Sequence, residues 1–212
     1  DVMERGFLLE FMAKPWIRIW IHPRSVIREA LIHSERTQEW LLILLFGLML
    51  GLKQASLRSL GDALSFSLIL ILSLVLGPLL GVLAWYIVSG IAYGVGRWLD
   101  GTASWEEIQT AVAWASIPFS MKLVLWIPQL AFFGQEMFTT TVSSLEGSAW
   151  LWVLYTLLTL IDSVISIWYF VVLCKGVGQA HDFSAWRGFF SLLIGWVILL
   201  VPFILLAVLF RR

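Results

Sequence analysis

Apolar residues dominate the chain after about its first forty positions, in long runs that polar residues interrupt only briefly. A helix of about twenty apolar residues spans the roughly 30 Å of bilayer hydrocarbon and satisfies its own backbone hydrogen bonds. The pattern therefore predicts an all-α membrane protein with five transmembrane helices. The predicted spans are residues 40–57, 66–95, 108–133, 150–174 and 188–210.

The first 39 residues alternate basic with apolar and aromatic positions, and they hold six of the 14 Lys and Arg residues. This mixture is typical of helices that lie in the membrane interface, with apolar side chains in the acyl region and basic groups among the headgroups. We predict one or two cytoplasmic amphipathic helices here, the first kinked at Pro15 and the second with Pro23 in its first turn. Segment 1–39 would precede a membrane domain at 40–212. The expected anchors, with anionic lipid as their ligand, are Trp16, Arg18, Trp20 and Arg24.

Composition agrees with the bilayer and excludes other classes. The chain is 60% hydrophobic and 13% charged, whereas soluble domains have about 45–50% and 25%. Its formal net charge is zero, so no basic face favours nucleic acid. The single cysteine, Cys174, excludes internal disulfides and is expected to be a packing residue. The sequence lacks metalloprotease, hydrolase and nucleotide-binding motifs, so we expect neither an enzyme nor a cofactor or metal site.

Basic residues also predict the orientation. With a cytoplasmic N-terminus, the inside segments hold nine Lys and Arg and the outside segments four, which favours an N-in, C-out arrangement. Lys53, in the last turns of the first span, is expected to extend toward the outer interface.

Two ionisable residues, Lys122 and Asp162, lie about a dozen residues inside their predicted spans. A lone charge there costs at least roughly 2.5–3.5 kcal/mol, so the two are expected to meet. One interpretation is a structural ion pair between the third and fourth spans. The other is a proton or ion relay in a water-filled cavity, near a helix break at Pro118, with further polar lining from Ser116, Ser120, Gln129 and Ser163.

The two predicted cytoplasmic turns are similar in sequence, with Gly94-Val95-Gly96 matching Gly176-Val177-Gly178 at an offset of 82 residues that becomes 81 at Trp105 and Trp186. The glycines are expected to let the chain leave each helix through left-handed dihedrals. Polar residues of the turns are expected to cap helices. Alternatively, an acidic patch would hold a cation or a basic partner; its residues are Asp100, Glu106, Glu107, His181 and Asp182.

Three glycine pairs have the spacing that lets membrane helices approach closely: Gly47–Gly51, Gly77–Gly81 and Gly90–Gly94. They predict packing within the bundle or between copies in a homo-oligomer.

Four segments together resemble the Yip1-domain membrane proteins: Trp20-Ile21-His22-Pro23-Arg24, Gly101-Thr102-Ala103-Ser104-Trp105-Glu106-Glu107, Ala113-Trp114-Ala115-Ser116-Ile117-Pro118 and the loop from Gly176 to Arg187. The resemblance implies five spans with a cytoplasmic N-terminus. Eukaryotic members are associated with Golgi and endoplasmic-reticulum trafficking and with Rab GTPases. The N-terminal region here is short and lacks their long polar leader, so the chain looks like a bacterial member in the cytoplasmic (inner) membrane, and Rab binding does not carry over.

Two functions follow as hypotheses. The first is a membrane-organising or partner-recruiting scaffold, with a protein partner on its cytoplasmic face. The alternative is a small transporter or ion channel that uses Lys122 and Asp162. A closed, dry environment around Lys122 would argue against transport, and a continuous polar cavity would weaken the scaffold.

Overall fold

The computed structural model describes the backbone of residues 15–209 and the side chains of residues 15–202. Throughout this part the regular structure is helical, as predicted. The eight α-helices of the described part are α1 Pro23–His33, α2 Arg36–Leu57, α3 Phe66–Trp98, α4 Trp105–Ala115, α5 Ile117–Met121, α6 Leu123–Phe133, α7 Ala149–Ala180 and α8 Ala185–Leu209.

Five stretches of the described chain are long and apolar enough to cross a membrane, which confirms the five predicted helices. They are Arg36–Leu57, Phe66–Trp98, Trp105–Phe138, Ala149–Ala180 and Ala185–Pro202. The last four start within three residues of their predicted positions, and the first starts four residues earlier because a capping box at Glu35 and Gln38 opens it. Such a box satisfies amide hydrogens that the first turn leaves free.

The third stretch is broken, as the Ile117-Pro118 sequence predicted. Helix α4 ends at Ala115, α5 has Pro118 in its first turn, and a second break at Lys122 separates α5 from α6. Proline has no amide hydrogen and its ring displaces the carbonyl four residues earlier, which ends a regular helix. The Ser116 carbonyl accepts bonds from both the amide and the hydroxyl of Ser120, so the break leaves this carbonyl satisfied.

The chain packs as two compact units. One unit contains the described residues up to Ser34 together with Trp85–Ala115 and the described residues from Val171 onward, and the other contains Glu35–Ala84 and Ser116–Phe170. We refer to them as the first and the second unit. Helices α3 and α7 each contribute to both.

In the first unit, α1 packs against α4. Its buried residues Pro23, Val26, Ile27 and Ala30 form one face, and the Ile27 side chain reaches Gly176 of α7. Protein rather than lipid therefore covers the apolar face of this predicted interfacial helix. The preceding predicted helix falls largely on residues 1–14, outside the described residues; residues 15–18 are helical and a turn follows.

In the second unit, α2 and α3 touch through their backbones at two of the predicted glycine pairs. A Cβ on Gly47 would lie 2.5 Å from the Gly77 carbonyl oxygen, and a Cβ on Gly51 would lie 2.8 Å from the Gly77 Cα. Nothing lies within 4 Å of a Cβ placed on Gly90 or Gly94. Packing inside the bundle accounts for the first two pairs, and a role of the third in a homo-oligomer stays a prediction.

This difference gives a matched test of the α2–α3 contact. We expect Gly47→Ala to lower the unfolding free energy by about 1–3 kcal/mol, because the added methyl group meets backbone atoms that cannot move aside. Gly90→Ala should be neutral or slightly stabilising, because alanine is the better helix former and meets only open space. Thermal unfolding of both variants in one detergent measures the difference, and equal melting temperatures would contradict the contact.

Candidate functional site

The two intramembrane charges of the second unit meet. Lys122 Nζ lies 2.7 Å from Asp162 Oδ1, and Nζ also donates to Ser166 Oγ at 2.9 Å. The Ser166 hydroxyl in turn donates to the Asp162 carbonyl oxygen at 2.8 Å. Lys122 lies at the break between α5 and α6, so its position follows from the interrupted third span, whereas Asp162 and Ser166 lie one turn apart on α7.

Lys53 is a third member of this cluster. Its Nζ lies 3.1 Å from Asp162 Oδ2, so each carboxylate oxygen accepts from a different lysine. The prediction that Lys53 extends toward the outer interface was therefore wrong, because a nearer carboxylate attracts the ammonium group. One sequence signal could have found this contact: Asp162 is the only acidic residue within the five predicted spans, and two lysines compete for it.

The cluster is closed around Lys122. That residue is 1% exposed, and its ammonium group lies 4.5 Å from the centre of the Phe119 ring. Phe119, Phe46 and Tyr169 form a group of rings whose centres are 5.0–5.9 Å apart. A cation over an aromatic face is attracted by the ring electrons, and the attraction strengthens where water is excluded.

The four residues predicted as further polar lining are placed less centrally. The Ser120 and Ser163 hydroxyls donate to carbonyls one turn earlier in the chain, at Ser116 and Thr159. Gln129 is buried at 6% exposure and Ser116 at 2%. The residue that the structure brings to Lys122 is Ser166, which the sequence did not single out. A relay function for this set stays a prediction.

The two similar turns of the first unit have the same backbone geometry. The amide of Gly101 donates to the Gly96 carbonyl and the amide of Phe183 to the Gly178 carbonyl, both at 2.9 Å. Asp100 and Asp182 have positive φ angles of 61° and 57°. This combination is the Schellman ending of a helix, and every one of its positions repeats at the predicted offset of 82 residues.

The structure corrects two details of that repeat. The left-handed residues are the aspartates, and the glycines of the matched triplets lie inside helices, because Asp tolerates this conformation. Next, Ser104 Oγ accepts the Glu107 amide and Ser184 Oγ accepts the Arg187 amide. Since these serines cap α4 and α8, the offset after the turns is 80, and the second turn is two residues shorter.

His181 joins the two turns. Its Nε2 lies 3.1 Å from the Ala92 carbonyl oxygen, and its Nδ1 accepts the Ala103 amide at 3.3 Å. The Thr102 hydroxyl donates to the His181 carbonyl oxygen at 3.4 Å, and the ring stacks on Phe183 with centres 5.0 Å apart. An imidazole that donates from Nε2 and accepts at Nδ1 is neutral. The contacts therefore hold the uncharged form.

Glycine is required on both sides of this ring. A Cβ on Gly96 or on Gly101 would overlap the imidazole of His181. This close approach, rather than a left-handed backbone, explains a glycine at each of these positions. Burial lowers the pKa of His181 below its ordinary value of 6.5, and the positive charge of Arg97 acts in the same direction, opposed by the Ala92 carbonyl and by Glu107.

The predicted acidic patch is dispersed. Asp100, Glu106 and Asp182 are exposed, Glu107 accepts the Ser104 amide at 2.7 Å, and His181 faces inward. Among the described residues no three His, Cys, Asp or Glu side chains are grouped so that they could hold a metal ion. Binding of a basic partner by this patch stays a prediction.

The predicted membrane anchors are partly engaged by protein. Both guanidinium nitrogens of Arg18 donate to the Glu29 carboxylate, at 2.8 and 2.9 Å. Arg24 donates to the Phe183 carbonyl oxygen at 3.4 Å, and Trp16 and Trp20 are half-buried. Helix α1 is thus attached to the second turn, and contact of these residues with lipid stays a prediction.

The five apolar stretches and the paired turns can now be compared with known proteins. The chain matches the Yip1 domain over residues 17–207. It belongs to the Yip1 domain family. The match covers all five membrane-spanning stretches, the charge cluster and both turns of this Yip1-domain protein. Neither the curated proteins nor the solved structures gave a match.

The asymmetry of the charge cluster leads to a test by substitution. We expect Asp162→Asn to lower the unfolding free energy by about 3–5 kcal/mol, because it leaves buried Lys122 without a counter-charge. Lys53→Gln should cost under about 1 kcal/mol, because a partly exposed ion pair contributes little. Titration with a denaturing detergent compares the two. The double variant Lys122→Met, Asp162→Leu should recover most of the loss, and a Lys53→Gln effect as large as that of Asp162→Asn would contradict this account.

His181 predicts a dependence of stability on pH. The unfolded chain takes up a proton near pH 6.5 whereas the folded chain resists it, so stability is full above that pH and falls below it, by at most about 1.4 kcal/mol per pH unit for one proton. Melting temperatures of wild type should therefore drop between pH 7.5 and 5.5, and His181→Gln should reduce the drop. His33→Gln is the control, because His33 is exposed at the end of α1. Equal slopes for wild type and His181→Gln would refute the assignment.

Proposed function

We propose that this Yip1-domain protein is a scaffold that organises the membrane or recruits a partner through one surface of the first unit. We call this surface the turn face; it consists of α1, residues 97–104 and residues 181–187. The observation that carries the proposal is that three separate parts of the chain are fastened together here. Arg24 and Arg28 of α1 donate to Phe183 and Gln179, and Thr102 of the first turn donates to His181.

The turn face has the side chains of an interaction surface. Trp98 and Trp186 are 73% and 72% exposed, at corresponding places beside the two turns. Arginine and tryptophan contribute most of the binding energy in many protein interfaces. Exposed acidic residues lie between them, so a partner with basic groups and an apolar anchor fits this face.

The proposed location is the bacterial cytoplasmic membrane, with the N-terminus inside and the C-terminus outside. The excess of basic residues on the segments assigned to the inside supports this orientation. It places the turn face in the cytoplasm and the loop between α6 and α7 outside. The interfacial segment 1–39 and the membrane domain 40–212 remain the proposed division of the chain, with anionic lipid bound at the basic N-terminal segment.

Transport through the Lys122–Asp162 cluster is the second candidate. Two observations favour it: the third span is interrupted at Lys122, and two lysines share one carboxylate, which leaves an excess positive charge. Broken helices at the bilayer centre are typical of ion-coupled carriers. The near-complete burial of Lys122 argues against it, because a relay needs contact with water.

Two experiments on the full chain separate the candidates. Proteoliposomes with an internal pH indicator should show the same proton flux as protein-free vesicles, for wild type and for Asp162→Asn. Flux by wild type that Asp162→Asn abolishes would replace the scaffold with a transporter.

Recruitment is tested with a photo-crosslinking amino acid at Trp98, Trp186 or Trp150 in cells. Trp150 is a matched control, because it is also exposed, at 58%, and lies on the proposed outer side. One adduct of the same mass from both turn positions, with none from Trp150, is the expected result. Adducts at all three positions, or at none, would contradict recruitment by the turn face.

A further inference from the structure

A groove of about 360 Å³ lies between α2 and α3 in the second unit. Its floor is made of buried small residues, among them Gly51, Ser73 and Gly77. The two backbones touch at these glycines, so no large side chain fills the groove. An α-helix with side chains is about 10–12 Å wide, and a groove with this floor and volume is too small to hold one.

One wall of the groove is a row of leucines on α3. Leu72, Leu76 and Leu80 line it, and residues four apart lie on the same side of a helix. At 1.5 Å per residue the row is about 12 Å long, close to the thickness of one leaflet, which is half of roughly 30 Å. Leu76 and Leu80 are 48% and 38% exposed, so the groove opens toward the surrounding hydrocarbon.

The other end of the groove is polar and basic. Gln54 and Arg58 line it there, at the C-terminal end of α2. The two acidic side chains nearest to these residues in the second unit have other partners: Asp62 accepts the Thr140 amide and hydroxyl, and Asp162 pairs with Lys53. Within the described part of the chain, no salt bridge involves Arg58.

We propose that this groove binds one anionic phospholipid. An acyl chain lies along the leucine row, and the phosphate accepts hydrogen bonds from Arg58 and Gln54. The shape supports a flexible chain, and the guanidinium group supports a negative headgroup, since arginine binds phosphate through paired N–H donors. The site lies outside both the turn face and the Lys122 cluster, so it stands independently of the proposed function.

Native mass spectrometry of the full chain in detergent tests the proposal. The protein is incubated with equal amounts of phosphatidylglycerol and phosphatidylcholine that have the same acyl chains. We expect wild type to retain one phosphatidylglycerol, in about tenfold excess over phosphatidylcholine, because a hydrogen bond to a charged group contributes about 1.5–3 kcal/mol and about 1.4 kcal/mol is a factor of ten. Excess inorganic phosphate should not displace it, because phosphate lacks the acyl chain.

Two variants and their controls locate the site. Arg58→Gln should remove the preference for phosphatidylglycerol, and Leu76→Trp, which fills the groove, should reduce retention of both lipids. Arg97→Gln, at an exposed arginine in the first unit, and Leu74→Trp, at an exposed leucine of α3 outside the groove lining, should both behave like wild type. Equal binding of the two lipids by wild type, displacement by phosphate, or the same loss in Arg97→Gln would overturn the proposal. If Arg58→Gln does not elute as a folded species in gel filtration, the comparison of Leu76→Trp with Leu74→Trp decides.

Discussion

A charged side chain in bilayer hydrocarbon is stable only where an opposite charge meets it, and this constraint shapes the second unit. Asp162 of α7 accepts from Lys122 and from Lys53, with distances of 2.7 and 3.1 Å. Because the carboxylate has two oxygens and each takes one lysine, it fixes α2 and the break between α5 and α6 against α7. The aromatic rings around Lys122 then exclude water, which strengthens these contacts and leaves no open path to the ammonium group.

Close backbone approach is the second constraint, and glycines provide it in both units. In the second unit, Gly47, Gly51 and Gly77 bring α2 and α3 into contact. In the first unit, Gly96 and Gly101 make room for the imidazole of His181. The same small residue thus serves helix packing in one place and the fastening of two turns in the other.

Membership of the Yip1 domain family and five spans describe a polytopic membrane protein. The geometry adds that its buried charges satisfy one another, while its turns expose tryptophans and charged groups around a rigid frame. A repeated Schellman ending with a short polar connection makes each turn compact, and α1 is fastened beside the second one. This arrangement is what a surface for partner recruitment needs, and it is the reason why we prefer the scaffold to the transporter.

The sequence by itself determined the number of spans, the break at Pro118, the repeated turns and the meeting of Lys122 with Asp162. These features depend on local rules: helix length against bilayer thickness, the missing proline amide, and the cost of an unpaired charge. Only the tertiary structure decided which residues complete each site. Lys53 and Ser166 join Asp162, the His181 ring lies against two glycines, and α4 covers the apolar face of α1, because these contacts depend on how helices far apart in sequence are placed side by side, which hydropathy and spacing do not encode.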